Sequence, residues 1–222
     1  MPERAVIFDM DGVLVDSYRA HLESWQELAN SHGLEFTEEQ FAVSFGQTTR
    51  EIILHYWSSL VGEADVAAWD AEKEELYRRI LQDDFPEMAG ASELIRKLHK
   101  AGFGLAIGSS GPPENVQVVI DALATGDLFG ATVSGMDVHY GKPHPEVFLK
   151  SAARLGVEAK RCLVIEDSPV GIEAARRASM AVVAITGTAE RVRLSEADIV
   201  VDSLRELTVP VLAELVDTNV RT

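Results

Sequence analysis

The sequence predicts an α/β protein, a doubly wound parallel sheet interrupted once by an inserted helical segment. Three observations lead there. Short apolar runs without polar alternation, beginning with Ala5-Val6-Ile7-Phe8, have the pattern of strands covered on both faces. From residue 86 onward such runs alternate with amphipathic helical stretches, as in successive βαβ units. Between the first run and that alternation, residues 17–86 carry helical periodicity only.

The first strand, 5–8, runs into Asp9-Met10-Asp11-Gly12. In extended chain residues i and i+2 point to the same side, so Asp9 and Asp11 can face one pocket while Gly12 lets the backbone turn away. Two carboxylates in one small site are costly unless a cation or a proton separates their charges, and either solution has catalytic uses. In the next segment His21, Leu22, Trp25, Leu28 and Ala29 recur at three- and four-residue steps, and His32-Gly33 ends that helix. Thr37-Glu38-Glu39-Gln40 reads as a capping box opening a second helix, Thr48 or Thr49 as the cap of a third carrying Ile52, Ile53, Tyr56 and Trp57, and a fourth spans about 64–81. Beyond it come helix 91–100, strand 103–107, helix 114–123 and strand 131–134, then helix 145–155, strand 162–165, helix 170–178 and strands 181–185 and 199–201. The expected organisation is a Rossmann-like core of residues 1–16 and 87–222, with a four-helix cap domain, 17–86, inserted between two crossings.

With 222 residues, 46% of them hydrophobic, the chain can bury a sizeable core. Twenty Lys and Arg against thirty-six Asp and Glu give a net charge of −16, so the average surface repels nucleic acid and anionic membrane. An anionic substrate must therefore be met by locally placed cations. The single Cys162 lies in the apolar run CLVI and reads as a small core residue, in keeping with a reducing compartment. No charged-then-apolar leader precedes Ala5, and no apolar run approaches the roughly 18 residues that span a bilayer. The expectation is a cytoplasmic protein, monomer or weak homodimer, acting on a small molecule.

Ligands of doubly wound sheets bind at the carboxyl ends of strands, so the polar residues there are the candidates. Asp9 and Asp11 form one set. Ser109 and Ser110 follow the run FGLAI and precede a helix, where a hydroxyl and backbone amides suit a phosphate oxygen; an ordinary helix cap is the alternative for Ser109. Lys142 sits in GKPHPEVF, a solvated turn lysine or one of the few cations able to neutralise phosphate in so acidic a chain. Glu166-Asp167 lie between CLVI and Ser168-Pro169, either as helix-start charges or as hard oxygen ligands for magnesium.

Taken in order, DMDGVLVDS, IGSS, GKPHPEVF and VIEDSPVGIEAA resemble the four motifs of the haloacid dehalogenase superfamily of phosphotransferases. The helical insertion after the first resembles the branch that contains β-phosphoglucomutase, phosphoglycolate phosphatase and sugar-phosphate phosphatases. The resemblance implies that Asp9 is the nucleophile, forming an aspartyl-phosphate, and that Asp11 is the general acid and base. It also implies that magnesium is bound by Asp9, the Asp11 backbone carbonyl, Asp167 and Glu166, with Lys142, Ser109 and Ser110 on the phosphate. The aspartate at position 11 argues against dehalogenation, whose chemistry needs no such acid.

In the cap, residues 46–50, GQTTR, resemble the family's loop running from a glycine to an arginine, with Gly46 and Arg50 as candidates for a distal substrate anion or hydroxyl. His21 and Lys73 fall where the mutase has a histidine and a lysine working with its general acid; a helix-face histidine and a solvated lysine are the plain alternatives. One stretch departs from the pattern. Where the mutase follows its serine with a Lys-Asn pair, this chain runs Gly111-Pro112-Pro113-Glu114-Asn115, so Asn115 can replace the asparagine but the lysine has no counterpart. The expected activity is therefore a phosphatase of small phosphorylated sugars or related metabolites, with β-phosphoglucomutase second. A receiver-like phosphoacceptor domain comes third, and no G-x-G-x-x-G follows the first strand to indicate a dinucleotide site.

Overall fold

A computed structural model describes residues 2–44 and 48–221. The chain divides into two compact units, Ser17–Phe85 and the remainder, Met1–Asp16 with Pro86–Thr222.

The inserted unit is helical: α1 (Tyr18–Ser31), α2 (Glu38–Ser44), α3 (Thr49–Trp57) and α4 (Glu63–Asp83). Its helix starts are set by local side-chain bonds. Gln40 N donates to Thr37 Oγ1 at 3.2 Å while Thr37 N donates to Gln40 Oε1 at 2.8 Å, and Thr48 and Glu51 repeat the reciprocal arrangement at the start of α3. The apolar faces close on Trp25, Leu28, Phe36, Phe41, Ile53, Trp57 and Trp69, an aromatic-rich core in which Trp57 and Trp69 meet edge to face with centroids 5.6 Å apart. The expectation placed on Gly46 falls outside the described residues.

The other unit is built on a six-stranded, wholly parallel sheet in the order β3-β2-β1-β4-β5-β6. Its strands are β1 (Ala5–Phe8), β2 (Gly104–Gly108), β3 (Ala131–Val133), β4 (Cys162–Glu166), β5 (Ala181–Ile185) and β6 (Ile199–Val201). Helices α5 (Ala91–Lys100), α6 (Pro113–Leu123), α7 (Glu146–Leu155) and α8 (Pro169–Arg177) connect them, and α9 (Val209–Arg221) follows β6. Every residue of β1, β2, β4 and β5 is buried, which is why these strands read as continuous apolar runs. Ile7, Ala106, Val164 and Val182 pack with Phe148 of α7 and Ala175 of α8 in one cluster, while α5 and α9 contact β2, β4 and β5 outside it.

Helix α9 was not among the elements expected from the sequence. Only Leu212 and Val216 of it are buried, too narrow a stripe to stand out from the surrounding valines, of which Val211 and Val220 remain exposed. Strands β2 and β4 each run one residue further toward their carboxyl ends than expected, to Gly108 and Glu166. Among the described residues no helix is long and apolar enough to cross a membrane.

The strand order reverses between β1 and β4, the point at which doubly wound sheets open a crevice at their carboxyl ends. Phe8 is in register with Ile107 on one side and Ile165 on the other, so the chain leaves the sheet at Asp9, level with Gly108 and Glu166.

Candidate active site

Asp9 is pinned by the ladder itself, its N–H donating to Ile165 O at 2.9 Å, which seats its buried side chain beside the end of β4. The chain then turns tightly: Gly12 N donates to Val15 O at 2.8 Å and Leu14 N to Met10 O at 2.8 Å. Gly12 is required there on two counts. Its φ is +71°, and a Cβ built on it would stand 2.0 Å from Asp167 Oδ2. The turn therefore presses the backbone of the first strand end against the carboxylate of the fourth.

Asp9, Glu166 and Asp167 are all buried, and each offers an oxygen within 4.8 Å of those of the other two. Lys142 reaches into this group, with Nζ donating to Asp9 Oδ1 and Glu166 Oε1 at 2.6 Å each. Its loop is held at both ends. Glu146, at the start of α7, accepts from the N–H of His139 at 3.0 Å and of Tyr140 at 3.1 Å, and Lys150 beside it holds its carboxyl down to about 2. Ser134 N donates to Asp137 Oδ2 at 2.8 Å, and Arg154 holds the other oxygen of that carboxylate.

Glu166 is saturated with donors. Its Oε2 accepts from Asp167 N at 2.8 Å, Ser168 N at 2.9 Å and Ser168 Oγ at 2.9 Å, while Oε1 carries Lys142. Ser168 also caps α8, accepting from Gly171 N at 3.1 Å. The carboxylate lies so close under this first turn that a Cβ on Gly171 would fall 1.8 Å from Oε1.

The charge balance of this set is uneven. Burial pushes the Asp9 carboxyl up to about 7, with Lys142 opposing and the charges of Glu166 and Asp11 adding to the rise. Burial, then the neighbouring Glu166 and Asp9 charges, lift Asp167 well above its ordinary value. Glu166 is also buried, but Lys142 and the Ser168 hydrogen bonds outweigh that and hold it below its ordinary value. Lys142 is kept charged because the two carboxylates outweigh the cost of its burial. Fully ionised, three carboxylates against one ammonium would carry excess negative charge, which without a metal is relieved by protons on Asp9 and Asp167, and a divalent cation is what such a set of hard oxygens fits.

Asp11 lies two residues beyond Asp9, half-buried, in a backbone bridge with Val15. Its charge acts on Asp9, so the two share one electrostatic site. Ser109 is buried at the end of β2, where its N–H donates to Val133 O at 2.9 Å and its Oγ accepts from Gly111 N at 3.0 Å. It does not cap α6, whose cap residue is Pro112, so the alternative reading of Ser109 does not hold. The buried Asn115 approaches the same turn: Ser109 Oγ, Met10 Cε and Asn115 Nδ2 all lie within 4 Å of where a Gly111 Cβ would be. Ser110 is exposed.

Within the helical unit, the structure brings His21 and Lys73 together. Lys73 is buried, with Nζ 2.9 Å from His21 Nδ1 and 2.8 Å from Glu74 Oε1, and His21 stacks on Tyr77 with centroids 4.2 Å apart. Lys73 is therefore not a solvated lysine. Arg50 instead forms a two-point ion pair with Glu63, at 2.7 and 2.8 Å, on the exposed surface. Cys162 is buried with a thiol that burial pushes up to about 12, an inert core residue.

Two contributors were not anticipated. Glu146 follows Pro145 as an ordinary first-turn acid, and nothing in its spacing marks it as the clamp of the Lys142 loop. Thr188, in the loop after β5, places its hydroxyl beside the Asp167 carboxylate and opposes the effect of burial on it. The sequence signal for it is its position alone, at the end of a fifth strand, β5.

Comparison with known proteins agrees with this geometry. Hexitol phosphatase A of Escherichia coli is 33% identical over 208 residues, covering 93% of this chain and 94% of that protein. β-Phosphoglucomutase of Bacillus subtilis is 30% identical over 224 residues, covering 95% and 94%. The crystal structure of β-phosphoglucomutase from Clostridium difficile matches with a TM-score of 0.83 at 26% identity over 100% of both chains. A family model described as haloacid dehalogenase-like hydrolase matches residues 3–179. The chain thus belongs to the haloacid dehalogenase-like hydrolases, and among them it stands with phosphatases and phosphomutases.

Proposed function

We propose that this protein is a magnesium-dependent phosphatase of small phosphorylated sugars or related metabolites, working through an aspartyl-phosphate on Asp9. The observation that carries the reading is the buried set of Asp9, Glu166 and Asp167 with Lys142 2.6 Å from two of them, at the switch point of the sheet. The hexitol phosphatase relative and a fructose-1-phosphate phosphatase of E. coli, 30% identical over 175 residues, support the substrate class.

In this mechanism an Asp9 oxygen attacks phosphorus as the bond from phosphorus to the substrate's ester oxygen breaks, and Asp11 gives that leaving oxygen its proton. Water then attacks the phosphorus while Asp11 takes its proton, and the bond to Asp9 breaks to release inorganic phosphate. Lys142 and Ser109 stabilise the charge on the equatorial oxygens, and Lys142 keeps Asp9 nearer to ionisation than burial alone would allow. Magnesium would be held by Asp9, Asp167, the backbone carbonyl of Asp11 and Glu166 alongside its Lys142 ion pair; it would supply electrostatic stabilisation of the transferring phosphoryl group. The helical unit, as the cap, would set substrate choice through His21, Lys73 and Arg50.

A second reading, β-phosphoglucomutase, is favoured by the His21–Lys73 contact together with the B. subtilis relative. The two differ in whether water or a sugar hydroxyl accepts the phosphoryl group. A panel of phosphorylated sugars and related metabolites assayed for magnesium-dependent phosphate release tests the first reading. β-Glucose 1-phosphate with a trace of the 1,6-bisphosphate, followed for glucose 6-phosphate against free phosphate, separates the two. Phosphate release from the panel without isomerisation is the expected result. Isomerisation without net phosphate release would replace the phosphatase by the mutase.

A further inference from the structure

We propose that Thr188 is a positioning residue for Asp167, fixing its carboxylate so that one oxygen is presented to a bound divalent cation. The inference rests on the reading of the acidic set as a cation site. Thr188 lies beyond β5, outside the four strand-end motifs, on a loop that turns back through Gly187 at a φ of +137°. That turn brings the Thr188 hydroxyl beside the Asp167 carboxylate, where it opposes the effect of burial on that carboxyl.

The two groups converge on one small space beside the first strand end. The point where a Gly12 Cβ would stand is 2.0 Å from Asp167 Oδ2 and 2.6 Å from Thr188 Oγ1. Burial does not force this contact. Thr188 is exposed, so water could satisfy its hydroxyl, whereas Asp167 is buried and has few alternatives. A carboxylate that binds a cation through one oxygen is free to rotate about its terminal bond unless the other oxygen is held. The Gly12 turn and the Thr188 hydroxyl meet at Oδ2 of Asp167 and hold that edge of the carboxylate, so that Oδ1 is the oxygen presented to the cation. Outer hydrogen-bond partners of this kind typically govern metal affinity by 10- to 100-fold.

The test is a titration of the intact protein with Mn²⁺, read by electron paramagnetic resonance of the free ion and so without reference to turnover. Wild type, Thr188→Val, Thr188→Ser and Asp167→Asn are compared, with thermal midpoints taken in EDTA. The expected result is an affinity for Mn²⁺ about 10- to 100-fold weaker in Thr188→Val, restored in Thr188→Ser, with metal-free midpoints unchanged in both. Wild-type affinity in Thr188→Val, or Thr188→Ser as weak as Thr188→Val, would overturn the role of Thr188 while Asp167→Asn still loses the ion. If Asp167→Asn binds Mn²⁺ as tightly as wild type, or wild type binds none, the cation site itself is overturned and the role of Thr188 with it.

Discussion

Gly171→Ala separates a helical residue chosen for space from one chosen for propensity. Gly171 lies in the first turn of α8, and replacing a helical glycine by alanine ordinarily stabilises by about 1 kcal/mol. Here the new Cβ would lie 1.8 Å from Glu166 Oε1 and 1.9 Å from its Cδ, whereas real Cβ atoms essentially never come under 3.0 Å, so the carboxylate or the helix must shift by about 1.2 Å. A shift of that size takes Oε1 out of hydrogen-bond reach of Lys142, now 2.6 Å away, and weakens the three bonds to Oε2. One charge-assisted hydrogen bond is worth about 1.5–3 kcal/mol, which exceeds the propensity gain, so the variant should be less stable by about 0.5–2 kcal/mol. Lys142 would lose Glu166, the second of the two carboxylates that hold it beside Asp9, and a misplacement of about 1 Å in a catalytic group costs on the order of 10² in rate. Chemical denaturation and steady-state phosphate release on the same preparation check both numbers. A variant as stable as wild type, or more so, with turnover unchanged would refute the assignment of Glu166 as the anchor of Lys142.

Asp9→Asn should leave the fold intact and abolish turnover; substantial magnesium-dependent phosphate release from a folded variant would disprove its role as nucleophile. For Asp11→Ala a rate loss on the order of 10²–10⁴ is expected with alkyl leaving groups, and an unchanged rate on such a substrate would contradict the general acid. Proton and cation compete at Asp9, whose carboxyl stands at about 7 in the fold against 3.8 ordinarily. Its contribution to the stability of the metal-free protein is therefore fully present below about pH 4 and lost as pH rises through about 7. Binding of Mg²⁺ should strengthen over the same window, so the rise in melting temperature on adding Mg²⁺ should grow from acid to mildly alkaline pH. A rise that is larger in acid would rule out this competition.

The sheet was legible because its strands are buried on both faces: AVIF, CLVI and AVVAI leave no polar alternation to confuse them with anything but a parallel core. Three of the four strand-end sets followed from that, since Asp9, Ser109 and Glu166-Asp167 stand directly at the ends of such runs, while Lys142 stood out as a cation in an acidic chain. Relations that depend on how distant turns approach one another were not legible. That Gly12 and Gly171 are spaces shaped around Asp167 and Glu166 is invisible in a string of letters, as is the clamp that Glu146 puts on the Lys142 loop. Arg50 shows the same limit, because its pairing with Glu63 depends on how the start of α4 lies beside α3. Helix α9 was missed for a different reason, its two buried residues being too few to impose a period on the sequence.

Transfer of the phosphoryl group to Asp9 is tested by rapid acid quenching of the protein as it turns over a sugar phosphate labelled in the phosphoryl group, followed by peptide mapping of the label. Acid-stable, alkali-labile label is expected on the peptide containing Asp9, and none in Asp9→Asn. Label on another residue, or a full burst of product with none on that peptide, would contradict it.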